Sequence, residues 1–499
     1  MENKVLSSWI SLNENRNPQK IAVIDGGRRI TYSELHDYGS NLAGWLISRG
    51  IQRGDRVVML LPNSSEFVIS FLAIASAGAV AVPLNVQYKA DELSGYFMDS
   101  SPRAVIASAR LVPLVKEVIS GINHKGCDVI GVPEGRNEQV SFVDAMKGNI
   151  LFHRKRDLQP DDEVLCQYSS GSTGKPKRIV RTHANLVSEA ENLNATVAMS
   201  GDDKILCVVP LFHAHGFGNC MLASLYAGAT LVILEDFNRR KVLKTIQDER
   251  ITVFPGVPFM FSILAATPVG DDSVLSSLRL CFSAGAPLQQ ETFRGFFEKY
   301  GVPVRQLYGT SETGSVSINL NKNISDTADS VGLPVRNVDV EIFGEKGEIL
   351  PSDQTGEIGI KSPAMIRGYS GAEDLNRESF RGGYFFPLDL GKKDSNGNIY
   401  IVGRKSLFIN AGGVKVDPSE IEILLAKHPK IKEVVVVGAK SYYGEGLIKA
   451  VVVPGSPCDE KEIIEFCMGK IADFKIPRIV EFRDEIPRSP LGKVLRKYL

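Results

Sequence analysis

Ten consecutive residues beginning at Tyr168 concentrate groups that suit phosphate binding. The segment reads Tyr168-Ser169-Ser170-Gly171-Ser172-Thr173-Gly174-Lys175-Pro176-Lys177. Glycine lets backbone N–H groups turn toward an anion, hydroxyl groups donate to phosphate oxygens, and lysine adds positive charge. The segment is not a Walker A loop, because that spacing is missing and a proline follows Lys175. It predicts a phosphate-binding loop, with a flexible Ser/Gly surface loop as the alternative.

A second polar segment offers ligands for a nucleotide and a metal. It reads Gln306-Leu307-Tyr308-Gly309-Thr310-Ser311-Glu312-Thr313-Gly314. The Ser311 hydroxyl suits a phosphate oxygen, and the Tyr308 ring suits a base. Glu312 suits Mg²⁺, which usually sits beside nucleotide phosphates on one or two carboxylates. Taken alone, the segment is also typical of a polar loop after a strand.

Two shorter segments add an acid and a mobile base. Asp389 at the end of a strand suits two ribose hydroxyls, and Arg404 offers a second anchor. Taken singly, these two residues fit an ordinary turn aspartate and a surface arginine. Lys493 lies in a proline-bounded segment, 487–496, that could present one positive charge. The alternative for this segment is a frayed basic tail.

The elements that must position these residues alternate between helix and strand. Thr31 and Glu34 have capping-box spacing, and apolar residues then recur at helical spacing. The pattern predicts strands over 57–61, 79–82, 205–209 and 230–234 and helices over 67–76 and 241–250. Such alternation predicts an α/β protein with largely parallel sheets.

The second half of the chain has a different texture. Short strands are expected over 338–343, 357–361 and 399–402, which indicates a β-rich subregion. Beyond it, helices over 418–428 and 461–472 and strands over 434–437 and 450–453 predict a small α+β domain. We expect a large N-terminal domain of mixed sheets flanked by helices, residues 1–402, a hinge at 403–406, and a small mobile domain, residues 407–499.

Composition narrows the class of protein. The chain has 499 residues, 43% hydrophobic and 23% charged, which is ordinary for a globular protein and suggests about three folding units. Its formal net charge is +0, so electrostatics gives no reason to expect nucleic acid as a partner. Seven cysteines without C-x-x-C spacing, and no apolar signal segment, favour a reducing cytoplasm. The uncharged run 67–86 contains Ser, Gly and Pro, so we expect a buried helix and strand rather than a membrane span.

Taken together and in this order, the four segments resemble the adenylate-forming enzymes. That family includes acyl- and aryl-CoA ligases, peptide-synthetase adenylation domains and beetle luciferases. The resemblance covers nearly the whole chain, from about Asn17 to Lys497. It implies that Mg-ATP activates a carboxylate as an acyl-adenylate, which a thiol, usually that of coenzyme A, converts to a thioester.

The resemblance also implies a role for each matching residue. Lys493 would bridge the substrate carboxylate and the α-phosphate, and Ser406 would lie at the hinge. Glu312, with Thr173, would serve Mg²⁺. The implied phosphate-binding residues are Ser169, Ser170, Gly171, Ser172, Thr173, Gly174 and Lys177. The implied contacts to AMP and its ribose are Ala286, Gln306, Tyr308, Gly309, Ser311, Asp389 and Arg404.

The resemblance extends to the acyl and pantetheine sites. His213 falls where a histidine or aromatic residue gates the acyl pocket, and Gly285 falls in the turn beside it. No acid occurs between Lys204 and Glu235 to pair an α-ammonium group, so a substrate without an α-amino group is favoured. Gly412 and Gly413 match a stretch that lets pantetheine pass close to the backbone.

The sequence departs from the family pattern at several positions. Arg178 replaces a usual Gly, 386–388 replaces Arg-Thr-Gly before Asp389, and Leu407 and Asn410 replace a frequent Asp and Lys. The leading hypothesis is a carboxylate–CoA ligase. The alternatives are an adenylating enzyme that loads a carrier protein's phosphopantetheine, a stand-alone adenylation domain, a luciferase-like oxidase, and a non-catalytic nucleotide-binding regulator.

Overall fold

The computed structural model forms two compact units. It describes residues 5–133, 142, 145–146, 157–169, 177–268, 275–405, 409–411, 414–416, 418–440, 446–471, 475–489 and 494–499. Unit 1 comprises the described residues up to 340 together with 360–385, and unit 2 comprises those of 341–359 and 386–499.

The strands are numbered in chain order. Strands β1 to β9 are Ile21–Asp25, Arg28–Thr31, Arg56–Leu60, Val80–Pro83, Ala104–Ser108, Asp128–Val132, Glu163–Ser169, Lys177–Thr182 and Lys204–Cys207. Strands β10 to β18 are Thr230–Ile233, Val253–Gly256, Leu280–Ser283, Val304–Thr310, Gly314–Ile318, Leu333–Pro334, Asp339–Phe343, Gly356–Lys361 and Phe380–Arg381. Strands β19 to β26 are Tyr384–Phe385, Asp389–Lys393, Ile399–Arg404, Ile409–Ala411, Val414–Val416, Ile431–Lys440, Gly446–Pro454 and Ile479–Phe482.

The helices alternate with these strands through most of unit 1. The α-helices are Leu6–Arg16, Tyr32–Ser48, Ser65–Ser76, Ala90–Ser100, Val112–Gly121, His183–Thr196, Ala223–Ala227, Arg239–Glu249, Pro258–Ala266, Gln290–Tyr300, Glu373–Ser379, Pro418–Leu425 and Glu460–Cys467. Short 3₁₀ turns cover Ala109–Leu111, Ile324–Thr327 and Arg496–Tyr498. A π-helix covers His215–Leu222.

Two large sheets organise unit 1. One has six strands in the order β6-β5-β3-β4-β7-β8, all parallel except the last pair. The other has nine strands in the order β15-β14-β13-β12-β11-β9-β10-β1-β2, and it is parallel from β13 to β1. The α/β fold class expected from the helix–strand alternation is therefore confirmed.

The apolar run at 67–86 is buried inside unit 1. The helix Ser65–Ser76 has ten buried residues, and the Ser64 hydroxyl caps its N-terminus by accepting from the Phe67 N–H. Gly78 then takes a left-handed φ of 72°, and the buried strand β4 follows. Among the described residues, no helix is both long and apolar enough to cross a membrane.

Local signals in the sequence predicted the start of one helix correctly and placed the ends of two others too late. The Thr31–Glu34 capping box is present in full, with the Thr31 side chain accepting from the Glu34 N–H. The helix expected over 461–472 ends earlier, at Cys467, because the chain turns at Gly469 with a φ of 71°. The helix expected over 418–428 ends at Leu425, where bonds such as His428 N–H to Leu425 O tighten into a turn.

Unit 2 contains a ladder of strands and a small α+β layer. Strand β20 pairs with the first part of β17 and with β21, and the β20–β21 register places Asp389 opposite Arg404. The strands β24, β25 and β26 form a three-stranded sheet. The helices Pro418–Leu425 and Glu460–Cys467 contribute Ile421 and Ile463 to a core that covers this sheet.

Candidate active site

Glu312 lies in a tight loop between two strands of the nine-stranded sheet. Strands β13 and β14 pair antiparallel, with Thr310 opposite Gly314, so only three residues connect them. The Thr310 hydroxyl accepts from the Thr313 N–H, which closes the loop. Gly314 has a φ of 70°, where a side chain would be strained. The loop therefore presents Glu312 in a fixed place, with only 8% of the residue exposed.

Tyr369 contacts two charged residues of unit 1, Lys177 and Glu312, which the resemblance assigns to phosphate and Mg²⁺ binding. Its hydroxyl donates to Oε1 of Glu312 at 2.8 Å. The ammonium Nζ of Lys177 lies 5.3 Å from the centroid of the same ring, within cation–π range. Lys177 and Glu312 are 135 residues apart in the sequence, and one buried phenol brings them into the same cluster.

The segment that carries Tyr369 is anchored to the rest of this cluster by backbone hydrogen bonds. The Ile366 N–H donates to the Glu312 carbonyl at 2.9 Å. Nη2 of Arg181, on the same strand as Lys177, donates to the Ala364 carbonyl at 3.2 Å. The amide of Asn185 donates to the carbonyl of Met365 at 3.0 Å. These bonds hold the 364–369 segment against both the Glu312 loop and the strand β8.

Strands β7 and β8 flank the predicted phosphate loop. They pair antiparallel, with Ser169 opposite Lys177, so the ends of the loop are neighbours in the sheet. The loop residues Ser170, Gly171, Ser172, Thr173 and Gly174 lie outside the described residues. Arg178 donates to Ser370 Oγ at 3.0 Å, and its guanidinium lies 3.4 Å from the Asp99 carboxylate. The charge of Arg178 is thus partly balanced within unit 1.

The side-chain amide of Gln306 is hydrogen-bonded to the backbone in two places, one of them just after Gly285 and Ala286. Its Oε1 accepts from the Leu288 N–H at 3.0 Å, and its Nε2 donates to the Ala328 carbonyl at 2.6 Å. Gly285 and Ala286 are exposed beyond the end of β12. Because both ends of the buried amide are engaged, Gln306 shapes the turn.

The remaining residues predicted to surround AMP in unit 1 follow Gln306 on the same hairpin. Tyr308 and Ser311 are half-buried, and Gly309 is exposed. A Cβ added at Gly309 would lie 2.6 Å from the Gly314 carbonyl oxygen, so the hairpin requires a glycine at this position.

The segment that contains His213 enters a π-helix. His213 is half-buried, and its Nδ1 accepts from the His215 N–H at 3.3 Å. In the wide turn of the π-helix, Gly216 lies close to the backbone of Pro210. A Cβ added at Gly216 would lie 2.4 Å from the Pro210 carbonyl oxygen. Such helices are rare and frequently occur at functional sites.

His215 is a buried neutral residue with both ring nitrogens engaged. Nε2 donates to the Gly256 carbonyl at 2.9 Å, and Nδ1 accepts from the Asn219 amide, also at 2.9 Å. Asn219 Oδ1 in turn accepts from the Ser315 hydroxyl at 2.7 Å. Burial lowers the pKa of His215 to about 4. His215 is therefore unavailable as a metal ligand.

Two predicted residues form an ion pair in unit 2. Nε of Arg404 lies 2.9 Å from Oδ1 of Asp389, and the two residues are register partners on β20 and β21. Leu388, immediately before Asp389, has a φ of 68°. Lys493, Gly412, Gly413 and Ser406 lie outside the described residues.

The side chains present fit a magnesium ion bound together with a nucleotide. Among the described residues, no group of three or more His, Cys, Asp and Glu side chains could hold a metal ion alone. Mg²⁺ does not need such a group, because it keeps several waters and binds one or two carboxylates plus substrate phosphates. The single carboxylate of Glu312, held in place by Tyr369, meets that requirement.

Three residues of this cluster were not predicted from the sequence. Tyr369, Arg181 and Glu189 lie outside the motif segments, and no local pattern distinguishes them. The side chains of Arg181 and Glu189 form a buried ion pair behind the Glu312 loop. Their separation of eight residues is not a recognisable sequence pattern, because the contact depends on how β8 and the following helix pack.

Comparison with known proteins places this site in a family. The model of the AMP-binding enzyme matches residues 11–370, and the model of the AMP-binding enzyme C-terminal domain matches residues 420–493. The chain is 31% identical to a feruloyl-CoA synthase from Amycolatopsis, over 99% of this chain and 98% of that protein.

Solved structures agree with this result. ATP-bound MatB from Rhodopseudomonas palustris superposes with a TM-score of 0.89 at 29% identity, covering 99% of this chain and 98% of that one. The O-succinylbenzoate coenzyme A synthetase from Bacillus subtilis, in complex with ATP and magnesium ion, gives 0.85 at 26% identity, covering 98% of both chains. The resemblance inferred from the four sequence motifs is therefore confirmed: this chain belongs to the AMP-binding, adenylate-forming enzyme family.

Proposed function

We propose that this protein is an AMP-forming carboxylate–CoA ligase that works in two steps. The acid first attacks the α-phosphate of ATP, which forms an acyl-adenylate and releases pyrophosphate. The thiol of coenzyme A then attacks the acyl carbonyl, and AMP leaves. The observation that carries this proposal is the cluster of Lys177, Tyr369 and Glu312, which joins a cation and a carboxylate beside the predicted phosphate loop. Family membership and the relatives' acid–thiol ligase activity support the same reaction.

The family resemblance assigns a part of the nucleotide to each group of predicted residues. Residues 169–174 and Lys177 would bind the β- and γ-phosphates. The AMP moiety would lie among Ala286, Gln306, Tyr308, Gly309 and Ser311, with Gln306 acting through the turn that it shapes. Asp389 and Arg404 would bind the ribose.

Charge neutralisation is the main catalytic demand. The carboxylate and the α-phosphate repel each other, and the transition state at phosphorus is highly anionic. Mg²⁺, held by Glu312 and Thr173, would neutralise phosphate charge. Lys493 would place one ammonium between the two anions. Removing one preorganised charge-stabilising group typically costs about 10²–10³ in rate.

The second step requires the ammonium group to leave. The thiol must reach the carbonyl that Lys493 covers, so Lys493 is best placed on a domain that moves. We propose that 403–406 is the hinge between a large domain, 1–402, and a small domain, 407–499. Pantetheine would pass along Gly412 and Gly413, and the acyl group would lie near His213 and Gly285. A cytoplasmic location is part of this proposal.

The test is pyrophosphate release across aryl, short, medium and long acids, followed by thioester formation. We expect release with at least one acid that lacks an α-amino group, and transfer to CoA. Transfer only to a holo-carrier protein would assign the alternative thiol. Lys493→Ala should slow pyrophosphate release about 10²–10³-fold. Release restricted to α-amino acids would overturn the proposed substrate class, and release unchanged in Lys493→Ala would overturn the mechanism.

A further inference from the structure

We propose that Tyr369 is a positioning residue that sets Glu312 and Lys177 for metal and phosphate binding. This inference rests on the proposed function, because it assigns those two residues to Mg-ATP. It adds that one phenol side chain controls the orientation of a carboxylate and the position of an ammonium group. The Tyr369 hydroxyl contacts Glu312, and its ring contacts Lys177.

The hydroxyl determines the orientation of the carboxylate. It donates to Oε1 of Glu312 at 2.8 Å, and Tyr369 is 5% exposed, so water does not readily replace it. Hydrogen bonds to an ionised carboxylate are roughly twice as strong as neutral ones. With Oε1 engaged, rotation of the carboxylate is restricted, and Oε2 is held in one direction.

The ring gives the Lys177 ammonium a contact other than the carboxylate. Nζ lies 5.3 Å from the ring centroid. Although both charged groups contact Tyr369, the described ion pairs include none between Lys177 and Glu312. A direct pair would compete with phosphate for Lys177 and with the metal for Glu312. A ring that attracts the cation without neutralising it leaves both charges available.

Tyr369 is itself held from several sides. Asn376 Oδ1 accepts from the Tyr369 N–H at 2.7 Å, and Asn376 Nδ2 donates to the Tyr369 carbonyl at 2.8 Å. The ring of Phe380 packs edge-on against Tyr369, with 5.7 Å between centroids. A side chain that positions others must have its own rotamer fixed by such contacts.

The experiment separates the two functions of the side chain. Tyr369→Phe removes the hydroxyl and keeps the ring, whereas Tyr369→Leu removes both. We expect Tyr369→Phe to weaken Mn²⁺ binding about tenfold in the presence of α,β-methylene-ATP, because a hydrogen bond to a charged group is lost. Tyr369→Leu should weaken it further and also weaken binding of the analogue in EDTA. Electron paramagnetic resonance and calorimetry measure these quantities without turnover.

The chain supplies a matched control in the same unit. Tyr384 donates to the Asp339 carboxylate at 2.6 Å, and Nζ of Lys361 lies 6.0 Å from its ring centroid. Tyr384→Phe therefore removes the same type of bond away from Glu312. We expect it to leave Mn²⁺ and analogue binding unchanged.

A double-mutant cycle tests whether the Tyr369 hydroxyl acts through Glu312. If Tyr369 acts through Glu312, then Glu312→Ala and the Glu312→Ala/Tyr369→Phe double variant will bind Mn²⁺ equally weakly. Additive losses, or wild-type Mn²⁺ affinity in Tyr369→Phe, would overturn the inference. Failure of the wild type to release pyrophosphate with any acid would instead overturn the proposed function.

Discussion

The guanidinium of Arg181 and the carboxylate of Glu189 form an ion pair closed to solvent, with side chains 1% and 3% exposed. Arg181 lies on β8, and Glu189 lies on the helix that follows it. Two glycines make room for the carboxylate: a Cβ at Gly218 would lie 2.2 Å from Oε1 of Glu189, and one at Gly314 would lie 2.7 Å from its Cδ. The pair therefore links the strand of Lys177 to the loop of Glu312.

Breaking this pair is expected to destabilise unit 1 strongly. Glu189→Gln and Arg181→Met each leave one buried charge without its counter-charge, and such losses are typically about 3–5 kcal/mol. The Arg181→Met/Glu189→Met double variant should lose less than the sum of the two single variants with methionine, because no buried charge is left alone. Urea unfolding followed by tryptophan fluorescence measures this in unit 1, since Trp9 and Trp45 are the chain's two tryptophans and both lie there.

An exposed pair on the same unit serves as the control. Lys244 and Asp248 form an i,i+4 pair with side chains 76% and 52% exposed. Lys244→Met should change the unfolding free energy by less than about 1 kcal/mol. If Glu189→Gln lowers the free energy of unfolding no more than Lys244→Met does, the buried pair stabilises the fold no more than an exposed pair does.

Acid is expected to weaken the fold through His183 and His215. Burial lowers the pKa of each to about 4, below the value of about 6.5 expected in the unfolded chain. The unfolded state therefore binds more protons between these values, so stability is full above pH 6.5 and falls as the pH drops toward 4. Linkage gives a loss of about 2 kcal/mol per histidine at pH 5.

Substitution of one histidine isolates its contribution to the loss of stability in acid. A proton on Nδ1 of His215 would point at the Asn219 amide, which already donates there. His215→Gln cannot titrate, so the fall in urea midpoint between pH 7.5 and 5 should become about half as steep. An unchanged slope in His215→Gln would contradict the assignment.

The sequence indicates candidate site residues where the relevant residue types lie together in one short segment. Lys177 and Glu312 were predicted as site residues because each lies in a short segment whose residue types suit one ligand. Tyr369 was missed because its bond to Glu312 joins residues 57 positions apart, and an isolated tyrosine carries no signal. Gln306 stays a predicted contact of AMP, and the sequence did not show that its amide is hydrogen-bonded to the backbone at Leu288 and Ala328. Side-chain direction depends on packing, which residue types alone do not give.

Elements were predicted on the same basis. The helix after Ser64 and the capping box at Thr31 follow from local patterns, and both are present. The π-helix His215–Leu222 was not expected. Its wide turn brings Gly216 against the Pro210 carbonyl, six residues earlier, and the residue types in this segment do not predict such a close approach.

Gln306 is expected to affect ATP binding through the turn it holds. Gln306→Leu leaves the Leu288 N–H without its acceptor, a loss of about 1–3 kcal/mol for a buried donor. The turn at Gly285 and Ala286 should loosen, and the KM for ATP should rise about tenfold while the KM for CoA stays constant. Gln290→Leu, on the exposed start of the next helix, is the control. An equal rise in both variants would show that the turn bond is irrelevant.

The last prediction concerns the backbone before Asp389. Leu388 has a φ of 68°, and its carbonyl accepts from the Lys405 N–H at 2.7 Å, so the β20–β21 pairing holds it in the left-handed region. That conformation costs a residue with a Cβ roughly 1–2 kcal/mol, which Gly avoids although it loses more entropy on folding. Leu388→Gly should therefore be close to neutral, whereas β-branched Leu388→Val should be destabilising.

Hydrogen exchange of a peptide covering β20 measures the effect locally. A loss of about 1.4 kcal/mol in Leu388→Val would speed its exchange about tenfold, while Leu388→Gly should exchange as the wild type does. Leu390→Val tests the same substitution two residues later, at a position without a positive φ. If the 388 and 390 valine variants exchange alike, strain at Leu388 is not what sets the stability of this ladder. If only the 388 variant exchanges faster, the ribose-binding role proposed for Asp389 depends on the left-handed backbone conformation of Leu388.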